Sequence, residues 1–478
     1  MTPRGVARKD LVSWRMLLVS LALSVALGIT ATQPQYRSFA LVAAGLVALL
    51  GLFFEAPELA LLAFVVLRPI VDAFVYLSLG GFSVGEAWGI GLIAASVVYL
   101  LSRRSIRMPT APVALLVTYV TLTFVRPSLS VALTTGLKLL LWVLLAAVVE
   151  QIAMTRKGQE LVLTAMCGSA IVLLSVIALV ASQGQFGSAY YFSRTAGLDA
   201  APHALTSLAV LTLPFILAQI LAGIRPRLSF LLVGLLSLGI VESFVRSGYL
   251  ALLAVLGGYL FASLRVTSLR AKGGLLVIVG ALGFAGYRAQ ASIVTRLADL
   301  PLVGNLVGSG STTSPGAAGS GRWGLWKELF ARGTDTLSHI VVGRGAGASF
   351  HLSAQAFGES LGSHNDFLEF FIAGGAILLT AYVSFLAWIA FSVTRLTGDP
   401  RQSTVVRSFS ILALGSLLGY VFLSLTNGIA LAAGGTVMAV FVGLTRGMST
   451  TPGETVLDLP DTVHSSRRSR SLRTQTEP

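Results

Sequence analysis

The chain has 478 residues, of which 55% are hydrophobic and 11% charged, with a formal net charge of +14. A water-soluble domain does not hide that much apolar surface, whereas repeated apolar runs of about 20 residues are bilayer spans. The positive charges are scattered between those runs, so they read as membrane topology signals and not as a nucleic-acid-binding surface.

Residues 1–15 are basic and lead into an apolar run near 16–30. That pairing has the form of a signal peptide, but further apolar runs follow at once, so it is read as an uncleaved first span. Other spans are expected near 39–54, 58–79, 85–101, 111–125, 131–152, 160–181, 203–223, 228–244, 247–264, 273–288, 366–393, 408–426 and 429–445. The expected fold is therefore an all-α polytopic membrane protein of about 12–14 transmembrane helices. Four regions follow: helices over 1–288, a long extracytoplasmic loop over 289–365, C-terminal helices over 366–447, and a basic, disordered tail over 448–478.

Arg103 with Arg104 and Arg107, Arg156 with Lys157, Arg225 with Arg227, Arg265 with Arg270 and Lys272, and Arg395 with Arg401 and Arg407 fall in alternate loops. With both termini added, roughly 22 basic residues lie on one side and about 10 on the other, which makes that side and both ends cytoplasmic. Cys167 is the single cysteine, so no internal disulfide exists, and the five histidines show no zinc spacing.

The long loop has two parts. Gly308 to Gly321 is almost all small and polar, which cannot bury a core. From Arg322 to Arg332, Trp323, Trp326, Leu329 and Phe330 fall at helical spacing among Arg322, Lys327, Glu328 and Arg332. That predicts a short amphipathic helix in the headgroup plane, aromatics toward lipid.

His364 is the first candidate for chemistry. Ser363 is expected to cap the following helix, with Asp366 as its capping-box partner, which puts His364 in the first turn. The macrodipole there favours a neutral imidazole able to take a proton from a hydroxyl, while Asp366 and Glu369 pull the other way. A plain interfacial cap is the competing reading. Arg194, Arg246, Arg322 and Arg344 are the second group, because several guanidiniums together hold a diphosphate without a metal. Singly, each also reads as an interface anchor. Arg246 sits in a tight reversal between apolar segments, with Glu242 one turn earlier as a structural partner. Arg68 with Asp72 reads as a self-neutralising pair, and Lys138 has no assigned role. No Asp-x-Asp, Glu-x-Asp or adjacent acidic pair occurs in an outward loop, so no metal or other cofactor is expected.

The order of Arg194, Ser-x-x-Arg-Ser at 243–247, Ser-Gly-Arg-Trp-x-x-Trp at 320–326, Gly-Arg-Gly-x-Gly at 343–347 and His364-Asn365-x-x-Leu368 before Gly374-Gly375 resembles the O-antigen ligase/polymerase superfamily. The resemblance covers about 190–395. It implies an all-helical, inverting, metal-independent glycosyltransferase at the outer face of the cytoplasmic membrane. The donor is a glycan carried on a polyprenyl diphosphate, and the acceptor a glycan, lipid or protein. The family's essential histidine falls on His364 and its diphosphate-binding arginines on Arg194, Arg246 and Arg322. Where the family carries an Asn-Pro-Asn-like stretch, this chain has Asp199-Ala200-Ala201-Pro202-His203. Two other readings compete: a transporter of a small anion or lipid-linked glycan with spans broken near 257–258, 374–375 and 434–435, and a non-catalytic assembly scaffold.

Overall fold

The computed structural model describes residues 37–73, 78–79, 82–103, 107–123, 129–182, 201–243, 245–265, 322–402, 404–428 and 433–450, with isolated positions between 272 and 287. The chain is an all-α polytopic membrane protein. The helices are α1 (Arg37–Glu55), α2 (Pro57–Val66), α3 (Arg68–Ala73), α4 (Val84–Leu101), α5 (Thr110–Thr123), α6 (Leu129–Ala153), α7 (Arg156–Ser182), α8 (Ala201–Ala222), α9 (Pro226–Glu242) and α10 (Arg246–Arg265). Three short helices follow, α11 (Arg322–Gly333), α12 (Leu337–Val342) and α13 (Ala348–Phe357), then the long α14 (Asp366–Gly398), α15 (Thr404–Asn427) and α16 (Ala433–Ser449). A two-residue antiparallel ribbon, Ser78–Leu79 with Phe82–Ser83, precedes α4.

Among the described residues, seven helices are long and apolar enough to cross a bilayer, and α2 and α5 are shorter apolar helices. The single span expected over 58–79 is instead two pieces. Pro69 offers no amide hydrogen and crowds the preceding turn, so α2 stops at Val66 and α3 ends at Ala73. The span expected at 273–288 lies largely, and that at 16–30 wholly, outside the described residues.

The almost wholly buried α8 is the central helix, packed by α7, α9, α10, α15 and α16. Its Phe215 meets Phe441 of α16 edge-on, with ring centroids 5.5 Å apart. The most extensive pair is α10 with α15. There a Cβ on Gly415 would lie 2.7 Å from the Ala254 carbonyl oxygen and 2.9 Å from Gly258 Cα. Hydrophobicity gives helices no reason to associate inside lipid, so small residues that let backbones touch supply the packing. Gly258 is thus a packing seam within a continuous helix, its neighbour Gly257 meeting nothing, and Gly434-Gly435 lies in the first turn of α16. Gly257-Gly258 therefore does not break its span.

The pair α6 with α16 adds a buried ion pair. Arg446 donates from Nε to Glu150 Oε2 at 2.5 Å and from Nη2 to Oε1 at 3.2 Å, and its guanidinium lies 5.3 Å from the Trp388 ring centre. Glu150 is 1% exposed, so its charge depends on that one partner. Arg446→Met is expected to cost about 3 kcal/mol by stranding the carboxylate, and Glu150→Leu with Arg446→Met to recover most of the loss. Thermal unfolding of detergent-purified protein measures both.

Candidate functional site

The site forms where α8, α10, α11 and α14 begin and α15 ends. α14 is not one straight rod. Gly374 (φ −133°, ψ 16°) and Gly375 (φ 64°, ψ −160°) leave helical geometry. Beyond them Tyr382 stacks on Phe370, with centroids 4.4 Å apart, and meets Phe367 at 5.3 Å. Twelve residues of straight helix span about 18 Å, so the segment Asp366–Ala373 must fold back sharply at the glycine pair. The 23 residues after the break (376–398) still run about 34 Å, a full bilayer core.

The break frees two carbonyls, and the turn after α12 takes them. The Arg344 amide donates to Ile372 O at 2.7 Å and the Gly345 amide to Ala373 O at 2.9 Å. The fit needs bare backbone on both sides: a Cβ on Gly343 would lie 2.5 Å from the Gly374 nitrogen, and one on Gly375 2.3 Å from the Val341 carbonyl. The Gly-Arg-Gly-x-Gly turn is therefore a clamp on the broken helix. Arg344 also donates from Nη2 to Asp335, whose other carboxylate oxygen lies 2.6 Å from His339 Nδ1. Hydrogen bonds from His339 and Arg344 hold the Asp335 carboxyl below the usual 3.8. One guanidinium nitrogen of Arg344 is thus paired with Asp335, while the clamp itself is made by backbone amides.

The turn carrying His364 departs from the sequence expectation. Asn365 and not Ser363 caps α14, its side chain accepting from Leu368 N at 3.1 Å. Ser363 instead folds its hydroxyl onto Asn365, donating to the Asn365 carbonyl at 3.0 Å. Two polar residues in succession compete for the cap, and the later one wins because His364 between them is left-handed, φ 50°. His364 therefore stands outside the first turn, on a backbone conformation that a side chain makes costly. Its Cα packs against Gly428, where a Cβ would lie 3.6 Å away.

Helix α11 forms where its apolar spacing places it, but its aromatics divide. Leu325 and Leu329 are buried, Trp323 and Phe330 are exposed, and Trp326 turns inward to donate from Nε1 to the Ser363 carbonyl at 2.7 Å. Arg322, at the head of α11, donates from Nη1 to the Thr426 carbonyl at the end of α15. It also lies close enough to His364 and His203 to act on both electrostatically. His203, in the first turn of α8, is the site residue that residue-type reasoning missed. Its one pointer was the unusual stretch 199–203.

His364 is an exposed residue. Partial desolvation of its ring by the surrounding protein, followed by the Arg322 charge, lowers its pKa from the ordinary 6.5. The two carboxylates expected to oppose this are occupied elsewhere: Glu369 accepts from Ser349 Oγ at 2.9 Å, and buried Asp366 faces the Tyr382 and Tyr420 hydroxyls. As pH falls below 6.5 the unfolded chain takes up the proton first, so His364 reduces stability on the acid side only.

Arg246 opens α10, and its side chain lies outside the described residues, as does all of Arg194. The place of Arg246 is nevertheless fixed at this end of the bundle, because a Cβ on Gly248 would fall 2.5 Å from Thr206 Cγ2 on α8. The structure thus gathers Arg322, His364 and the start of α10, and engages Arg344 in the neighbouring clamp. The Asp72 side chain lies outside the described residues, and Lys138 is exposed on α6. Among the described residues, no three His, Cys, Asp or Glu side chains gather to hold a metal ion. Neither a scan against protein-family models nor a search of curated proteins finds a match for this chain.

Gly375→Ala is expected to spring the clamp, because positive φ and the Val341 contact both oppose a Cβ. The Arg344 and Gly345 amides should then exchange with solvent at least about tenfold faster. Gly398→Ala, where a Cβ meets nothing within 4 Å, is the unchanged control in the same exchange measurement.

Proposed function

We propose that the chain transfers or polymerises glycan from a polyprenyl-diphosphate-linked donor at the outer face of the cytoplasmic membrane, in the manner of the O-antigen ligase/polymerase superfamily it resembles. The observation that carries this reading is Arg322, tied to the end of α15, acting electrostatically on His364 at joined helix ends: a fixed cation near an imidazole whose pKa is lowered first by burial and then by that charge. Glycosyl transfer from a diphosphate asks for that pairing. The acceptor hydroxyl oxygen attacks the anomeric carbon, the bond to the diphosphate oxygen breaks, and its electron pair leaves with the diphosphate. The hydroxyl proton passes to His364. Arg194, Arg246 and Arg322 neutralise the leaving diphosphate, which is the larger contribution to rate. Arg344, already paired with Asp335, serves by holding the broken helix.

A transporter reading draws on the same helix break. The two carbonyls freed there are filled by the protein's own backbone, which favours a structural clamp over an open ion site.

His364→Ala and Arg246→Ala are each expected to reduce glycan product by about 10²-fold or more with the protein still present in the membrane. Full activity in either variant, measured with reconstituted protein and lipid-linked donor, would overturn the assignment. The acid limb of kcat should lie below pH 6.5, because His364 must be unprotonated to accept the proton. Arg322→Gln should move that limb upward by removing the neighbouring charge, whatever it does to the rate.

A further inference from the structure

His203 and Thr206 stand three residues apart in the first turns of α8, so they share one helix face. Thr206 is 1% exposed, and among the described residues its hydroxyl has no hydrogen-bond partner. Thr118, Thr123, Thr394 and Thr445 each return their hydroxyl to the carbonyl four residues back, whereas Thr206 does not, and of the α8 threonines left so, Thr206 and Thr212, only Thr206 stands in the first turns beside His203. A buried hydroxyl left without a partner is costly unless something else meets it. Thr206 also touches the start of α10, through Gly248, two residues after Arg246. On its other side His203 lies within electrostatic reach of Arg322 and His364. An imidazole, a hydroxyl and a guanidinium thus come from the same joined helix ends, and all three can donate to oxygen.

We propose that His203 and Thr206 grip a phosphate oxygen of an isoprenoid diphosphate, beside Arg322, and leave His364 free for the acceptor. This rests on the glycosyl-transfer reading above for the identity of the substrate, and it adds two binding residues that the arginine pattern does not contain. Phosphate oxygens accept hydrogen bonds and carry the charge that Arg322 answers, so the three groups act on one atom set.

The test is binding of geranyl diphosphate to the detergent-purified full chain by calorimetry, with inorganic pyrophosphate as the second probe. His203→Phe is expected to weaken geranyl diphosphate at least about tenfold, the usual loss of one hydrogen bond to a charged group. His203→Gln keeps a donor and should stay within about threefold. Thr206→Val keeps the shape, should melt at or above the wild-type temperature, and should still weaken binding by about threefold to tenfold. It decides the matter if His203→Phe does not fold. Gly398→Ala, where a Cβ meets nothing within 4 Å, should bind geranyl diphosphate as wild type does. Wild-type affinity in both His203→Phe and Thr206→Val overturns the grip and leaves the glycosyl-transfer reading standing. Folded wild-type protein that fails to bind geranyl diphosphate ends both. Equal affinity for pyrophosphate overturns the lipid-carried ligand.

Discussion

A helix that breaks must find new partners for the backbone groups it frees, and the glycine pair at 374–375 is where this chain breaks a helix and repairs it. Two carbonyls leave their helix, and two amides from the turn at 343–345 replace the lost bonds. Much of the site follows from this exchange. The fold-back turns the segment 366–373 onto Tyr382, and with it goes the turn that presents His364. Because the repair is made by backbone atoms, it demands glycine on both partners rather than any particular side-chain chemistry.

Around that turn the polar groups are divided between holding and acting. Trp326, Ser349 and Asn365 are spent on structure, gripping the Ser363 carbonyl, Glu369 and the Leu368 amide. Arg322 does both: it ties the end of α15 to the head of α11 and lays its charge on two imidazoles. Asp366, two residues from His364, is buried toward Tyr382 and Tyr420, so the nearest carboxylate in sequence is not what sets the state of that histidine. A cation facing two imidazoles, with both local acids engaged elsewhere, is an environment suited to an anion.

Much of this was legible in the sequence, and the rest was hidden for definite reasons. Membrane class, most helix positions and the short helix at 322–333 follow from hydrophobic spacing, which is a local property. The division of its aromatics does not, because whether Trp326 faces lipid or protein depends on the Ser363 carbonyl, distant in the chain. The cap fell on Asn365 because a left-handed His364 cannot be read from residue types that both make good caps. The span expected at 58–79 is interrupted at Pro69, a residue whose missing amide hydrogen the hydrophobic run does not reveal. Three glycine pairs looked alike as breaks; among the described residues 374–375 leaves helical geometry, and there another turn supplies the missing hydrogen bonds. His203 sat at the head of an ordinary apolar run, and its neighbours Arg322 and His364 are more than a hundred residues further on.

The ion pair between Glu150 and Arg446 also orders events in time. Synthesis places α6 in the bilayer long before α16 exists, so the Glu150 carboxylate waits without its partner while nearly three hundred residues are made. Until α16 arrives, that carboxylate lacks the guanidinium that answers it, and the bundle cannot close around it. Helix α16 is in this sense a lock on the spans made before it.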